Sequence, residues 1–190
     1  MAINKINEIF DESIKIVSES KKISTDIQKA IDAIINCFKN GNKVILFGNG
    51  GSAADAQHLA AEFIGRFKLE RQSLPAIALT TDTSIITSLG NDYGFDYVFA
   101  RQCESMVQKG DVIIAISTSG KSQNVLNGIT VAKNNGALVI GLTGTLGSNL
   151  KNLVDILLII PSELTPRIQE GHRIIIHAIC ELVEENFKRK

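Results

Sequence analysis

All three histidines of the chain fall in two segments, GNGGSAADAQHLAAEF (48–63) and RIQEGHRIIIHAI (167–179). In the first, His58 and Glu62 are four residues apart, which on a helix puts them on one face, as an acid–base pair or as two ligands of one metal. A surface polar pair has the same spacing. Against that reading, Ala53, Ala54, Ala56, Ala60 and Ala61 suit a tightly packed helix, where a His and a Glu are costly without partners. The second segment carries Gln169, His172 and His177. Gln169 and His177 lie about 12 Å apart along a helix and about 80° apart around it, so they do not meet one ion from the same helix. If both approach one ion, different subunits supply them.

Two glycine- and hydroxyl-rich turns accompany these segments. Gly48, Gly50 and Ala53 spell GxGxxA, but a dinucleotide site wants an acidic residue roughly 20 positions on. Here Asp82, after PAIALT, is about ten positions too late. AISTSGKS (115–122) meets a relaxed Walker A pattern, yet Ala115 and Ile116 read as strand and the first glycine is missing. The turn reads better as a hydroxyl nest for one phosphate. Ser117, Thr118, Ser119 and Ser122 offer donors beside a helix N-terminus, whose N–H groups and dipole favour an anion.

These groups must be positioned by the rest of the 190 residues, a length suited to one domain. Net charge is zero, which gives no reason to expect nucleic acid or an anionic membrane as partner. The N-terminus lacks an apolar signal region, and no apolar run approaches the ~18–20 residues of a membrane span. Cys37, Cys103 and Cys180 lack metal-site spacing. A soluble cytoplasmic protein with reduced cysteines is expected. Helical periodicity covers 3–20 (Ile3, Ile6, Ile9, Phe10, Ile14) and 22–39 (Ile27, Ile31, Ile34, Ile35, Phe38). From residue 41, KVILFG, PAIALT, DVIIAIS, ALVIGLTG and VDILLIIP alternate with helical stretches, and the last helix spans about 166–188. Runs apolar on both faces predict parallel strands covered on each side. The expectation is an α/β fold. A three-layer α/β/α sandwich on a five-stranded parallel sheet forms one domain over 1–190, with an added helical pair at 1–40 and the core at 41–190.

KVILFGNGGSAAD and DVIIAISTSGKSQNV repeat a strand–turn–helix plan, so both turns belong at the carboxyl ends of strands, where open α/β sheets bind ligands. Together with PAIALTTD, GNDYGF and RIQEGHRIIIHAI, the two helix-bearing turns carry a family resemblance. The chain resembles a sugar isomerase (SIS) domain and, within that superfamily, the bacterial phosphoheptose (sedoheptulose-7-phosphate) isomerases, over nearly all of 41–180. The resemblance implies an SIS fold and a homotetramer with active sites at subunit interfaces, and the apolar stripes of the residue 1–40 helices are expected to serve assembly. It implies one zinc ion per subunit on His58, Glu62, Gln169 and His177. It also implies sugar-phosphate contacts from Asn49, Gly50, Gly51, Glu62, Asn91, Asp92, Ser117, Thr118, Ser119, Ser122 and Gln169. Pro166 stands where some relatives have Asp. The implied reaction converts sedoheptulose 7-phosphate to D-glycero-D-manno-heptose 7-phosphate, the first step towards nucleotide-activated heptose for lipopolysaccharide.

Aldose–ketose exchange moves a proton between C1 and C2 through an enediolate, so one group takes the proton while another serves the neighbouring oxygen. Glu62 is assigned as base and His177 as acid. The alternative is a non-catalytic SIS protein that binds the replication initiator. That protein lacks the Glu and the final His, both present here. A sugar-phosphate-sensing regulatory domain would need an attached effector domain, and none is expected.

Overall fold

The computed structural model describes residues 2–188. Helices α1 (Ala2–Ser20) and α2 (Ser24–Lys39) lead into β1 (Val44–Gly48), α3 (Gly51–Ile64) and β2 (Ala76–Ala78). Next come α4 (Thr83–Asp92), α5 (Val98–Met106), β3 (Val112–Ile116), α6 (Gln123–Asn134), β4 (Leu138–Gly144), β5 (Ile156–Ile160) and α7 (Thr165–Glu184). The five strands form one sheet in the order β2-β1-β3-β4-β5, with every pairing parallel. β1 and β3 are buried along their whole length, as the unbroken apolar runs predict.

Alternate strand residues feed two cores. Val44, Leu46, Ile114, Ile140 and Leu158 pack with α2, α3 and α7, while Ile45, Phe47, Ile113 and Val139 pack with α5 and α6. The chain leaves β1 for β2 on one side and returns to β3 on the other. The crevice at the carboxyl ends of β1 and β3 is therefore the switch point where α/β sheets take ligands.

The N-terminal helices divide the work. Ile31, Ile34, Ile35 and Phe38 of α2 enter the core. α1 buries only Ile16, and Ile3, Ile6, Ile9, Phe10 and Ile14 stand exposed on this single chain. Buried Arg167, at the start of α7, holds α1 through the Ile9 carbonyl (2.7 Å) and the Ser13 hydroxyl. The cysteines are buried and unbridged, and burial pushes the thiols up, Cys37 to about 11 and Cys103 and Cys180 to about 12.

The ends of α3 and α7 are locked together. Arg71 donates to the carbonyls of Glu62 (2.6 Å), Phe63 (2.7 Å) and Gly65 (3.1 Å), satisfying the last turn of α3. Glu184, which is buried, accepts the backbone N–H groups of Phe67, Lys68 and Leu69 at 2.7–2.8 Å. Burial alone would raise its carboxyl, but these donors and nearby Arg71 outweigh it and hold the group below the ordinary glutamate range. α7 ends here, at Glu184, and a 3₁₀ turn (Glu185–Phe187) follows, so the helix is shorter than its sequence pattern predicts.

His172 of α7 is fully buried beside Thr143 of β4, and among the described residues neither ring nitrogen makes a hydrogen bond. Burial pushes its pKa down to about 4, weakly opposed by the Thr143 backbone. The unfolded ring titrates near 6.5, so unfolding takes up a proton between the two values, and stability falls as pH drops through that window. From pH 7.5 to 5 this group alone should cost about 2 kcal/mol. Urea unfolding of wild type and His172→Leu at both pH values checks this. The variant should lose that much less stability on acidification, and identical losses would refute the assignment.

Candidate active site

The first turn is shaped by close approach. A Cβ on Gly48 would lie 2.7 Å from the Ile116 carbonyl oxygen and 2.8 Å from Ser52 Cβ, so only glycine lets the ends of β1 and β3 draw together. Gly50 has φ 56°, which turns the chain into α3. Asn49 exchanges two amide hydrogen bonds, each 2.9 Å, with Asn124 at the start of α6. The two turns across the switch point are thereby joined.

The second turn is partly self-satisfied. Ser117 is buried, accepts the Gly120 N–H at 3.1 Å and lies 3.3 Å from the Ser122 hydroxyl. Ser119 accepts the Lys121 N–H at 3.2 Å, and the Thr118 carbonyl accepts the Gly144 N–H at 3.0 Å. Ser122 precedes α6 without capping it, so its hydroxyl stays with the turn. Polar hydrogens therefore cluster at a helix N-terminus, a setting suited to an anion.

α3 and α7 run side by side in the same direction. Gln169 lies over Gly51, so close that a Cβ there would sit 2.3 Å from Nε2. Two turns further on, His58 Nε2 is 3.0 Å from His177 Nε2, and His58 Nε2 is 3.5 Å from Glu62 Oε1. The Phe67 ring lies 5.5 Å from that of His177. Burial, then His58 and Arg173, lower the pKa of His177 against the opposing pull of Glu62 and Asp55. A lowered pKa favours the neutral imidazole.

The structure thus brings His58, Glu62 and His177 together and keeps Gln169 apart, beside the first turn. Both short contacts run through His58 Nε2. Among the described residues no group of three or more His, Cys, Asp or Glu side chains forms a ready-made metal cage. The donor types nevertheless fit a borderline-soft ion. The separations of 3.0 and 3.5 Å bracket the roughly 3.3 Å expected between two ligands of a tetrahedral zinc. Asn91 and Asp92 bond to each other (2.7 Å) at the exposed end of α4 and, among the described residues, make no hydrogen bond to either turn. Pro166 sits in the first turn of α7. Sequence reasoning missed Asn124, which holds the turns, and the ion pair of buried Asp55 with half-exposed Arg173. No spacing rule pairs residues so far apart in the chain.

An SIS-domain family model matches residues 8–144. A phosphoheptose isomerase of Citrifermentans bemidjiense is 54% identical over 163 residues, which is 86% of this chain and 85% of that protein. The chain belongs to the phosphoheptose isomerase family of SIS-domain proteins. The solved phosphoheptose isomerase of Neisseria gonorrhoeae superposes with a TM-score of 0.92 at 41% identity, covering 97% of this chain and 100% of that one. The Francisella tularensis phosphoheptose isomerase gives 0.93 at 38%, covering 97% and 99%. The five-stranded parallel sheet is thus the fold of this family.

Gly51 offers a direct test of the first turn. In Gly51→Ala the new methyl meets the flexible end of Gln169, so the side chain moves while the backbone stays. Stability should change by less than about 1 kcal/mol, whereas kcat/KM on a heptose phosphate should fall at least roughly tenfold. Calorimetry alongside kinetics checks both, and wild-type kinetics would show that Gln169's place over Gly51 is immaterial.

Proposed function

We propose that the chain isomerises sedoheptulose 7-phosphate to D-glycero-D-manno-heptose 7-phosphate, the entry to nucleotide-activated heptose. The observation that carries this reading is the meeting of His58, Glu62 and His177 where α3 packs on α7. Family membership narrows the substrate.

The turns at 48–51 and 117–122 hold the phosphate through backbone N–H groups and hydroxyls, with Asn91 and Asp92 on the sugar. Glu62, as carboxylate, takes the proton from C1 and returns it to C2. His177 protonates the C2 carbonyl oxygen as the C1 proton leaves, and takes up the proton of the C1 hydroxyl as the aldehyde appears. His58, Glu62 and His177, with Gln169 as fourth donor, would hold a zinc ion. When bound, that ion would stabilise negative charge on the reacting oxygens. Phe67 excludes water from one side of His177.

On one chain these parts lie far apart for a single small substrate. Gly51 and Glu62 are about 16 Å apart along α3. An extended seven-carbon sugar phosphate spans on the order of 10 Å. Joining the phosphate turns of one subunit to the Glu62 cluster of another resolves the mismatch and places Gln169 within reach of a neighbour's site. The exposed apolar stripe of α1 supports such an assembly. Light scattering should give a homotetramer of four times 20.6 kDa. A stable, active monomer would refute the shared site.

Glu62→Gln and His177→Gln should each lower kcat by ~10²–10⁴-fold with much smaller changes in KM, because the phosphate turns are untouched. The double variant should lose less than the product of the singles, since both groups act on one transition state. Metal content is measured in each, and wild type should carry up to one zinc per chain and lose activity to chelator. Wild-type turnover by Glu62→Gln with its metal retained would sink the catalytic assignment and favour a binding role.

A further inference from the structure

The middle of the α3–α7 contact holds an ion pair that none of these roles uses. Asp55 is only 3% exposed, and its carboxylate accepts a hydrogen bond from the Arg173 guanidinium. The pair sits one turn after the Gly51–Gln169 contact and one turn before the His58–His177 contact, so residues 51, 55 and 58 face 169, 173 and 177 in order. Arg173 also walls a cavity of about 410 Å³ with Gly51, Ala54, Pro166, Gln169 and Glu170.

Stability does not explain the pair. Withdrawing a carboxylate from water costs several kcal/mol, and an apolar pair of similar volume serves cohesion as well or better. Burial raises the Asp55 pKa, with Arg173 the largest opposing influence, so the charge is held at a cost. What the pair adds is direction. Arg71 and Glu184 lock the far end of this contact, and between that lock and Gly51 the Asp55–Arg173 pair is a directed charge pair that spans the two helices. A shift of one residue moves a side chain about 1.5 Å along the axis, enough to separate His58 from His177.

We propose that Asp55 and Arg173 are positioning residues that fix the axial register of α3 against α7 and so set the His58–His177 approach. The catalytic consequence rests on the isomerase reading; the register itself does not. In Asp55→Asn and Arg173→Gln, kcat on sedoheptulose 7-phosphate should fall at least tenfold while KM moves less than threefold. Arg173→Lys, which keeps charge and a donor, should recover to within threefold of wild type.

An activity-free readout runs in parallel, because the chain has only three histidines. In chelator-treated protein the ring C–H NMR signals of His58 and His177 should move in both neutral variants. They should return in Arg173→Lys, while that of His172, buried beside β4, stays. Lowered melting temperature with unchanged kcat and unchanged His58 and His177 signals would make the pair merely structural and overturn the proposal. Unmoved signals would overturn it even if kcat fell. Failure of wild type to turn over the substrate would defeat the isomerase reading, yet the signals would still decide the register. Should a single variant not fold, the Asp55→Asn/Arg173→Gln double variant leaves no buried charge unpaired and carries the same readouts.

Discussion

The side-by-side packing of α3 on α7 is the contact on which the candidate site depends. The two helices follow β1 and β5, strands separated in the sheet by β3 and β4, and they meet over one face of it. Close approach is possible because the facing surfaces are small. Gly51 lies directly under Gln169, and a Cβ on Gly171 would meet the Ile160 side chain at 2.7 Å, so α7 is drawn down onto β5. Without that approach the imidazoles of His58 and His177 would not touch.

Helix α3 is held at both ends by polar groups that sheet packing does not supply. At the far end, Arg71 takes the orphan carbonyls of α3 and Glu184 takes three N–H groups of the following loop. At the near end, the paired amides of Asn49 and Asn124 join the two turns across the switch point. Each lock satisfies groups that would otherwise lie buried and unpaired, which is why it can be specific without being strongly stabilising.

Much of this was legible in the sequence, and the rest was hidden for physical reasons. The strands were readable because β1 and β3 are buried on both faces and therefore uninterrupted in apolarity. Edge strand β2 is confined within PAIALT to Ala76–Ala78, the residues that pair with Val44, Ile45 and Leu46 of β1. α4 contains no buried residue, so it left little periodic signal. The 3₁₀ segment Thr145–Asn152 lacks the longer period altogether. In the site, His58 and Glu62 announced themselves by helical spacing. Their partner His177 is 119 residues away, and only the topology brings it near. Asp55 and Arg173 were invisible for the same reason, since a charged residue inside an amphipathic helix reads as solvated until the facing helix is known.

The apolar stripe of α1 is left uncovered by this chain. Its periodicity predicts burial, yet on this chain Ile3 is 72% exposed and Phe10 65%. Buried Ile16 and the Arg167 tether hold α1 in place, but they do not cover that face. The same chain sets Gly51 and Glu62 about 16 Å apart along α3, farther than an extended heptose phosphate is long. Association with further copies would cover that hydrophobic face and would bring widely spaced site residues of different copies together. Two unrelated features thus converge on one quaternary arrangement: α1 would supply apolar area to the association, while α3 and α7 would supply the chemistry.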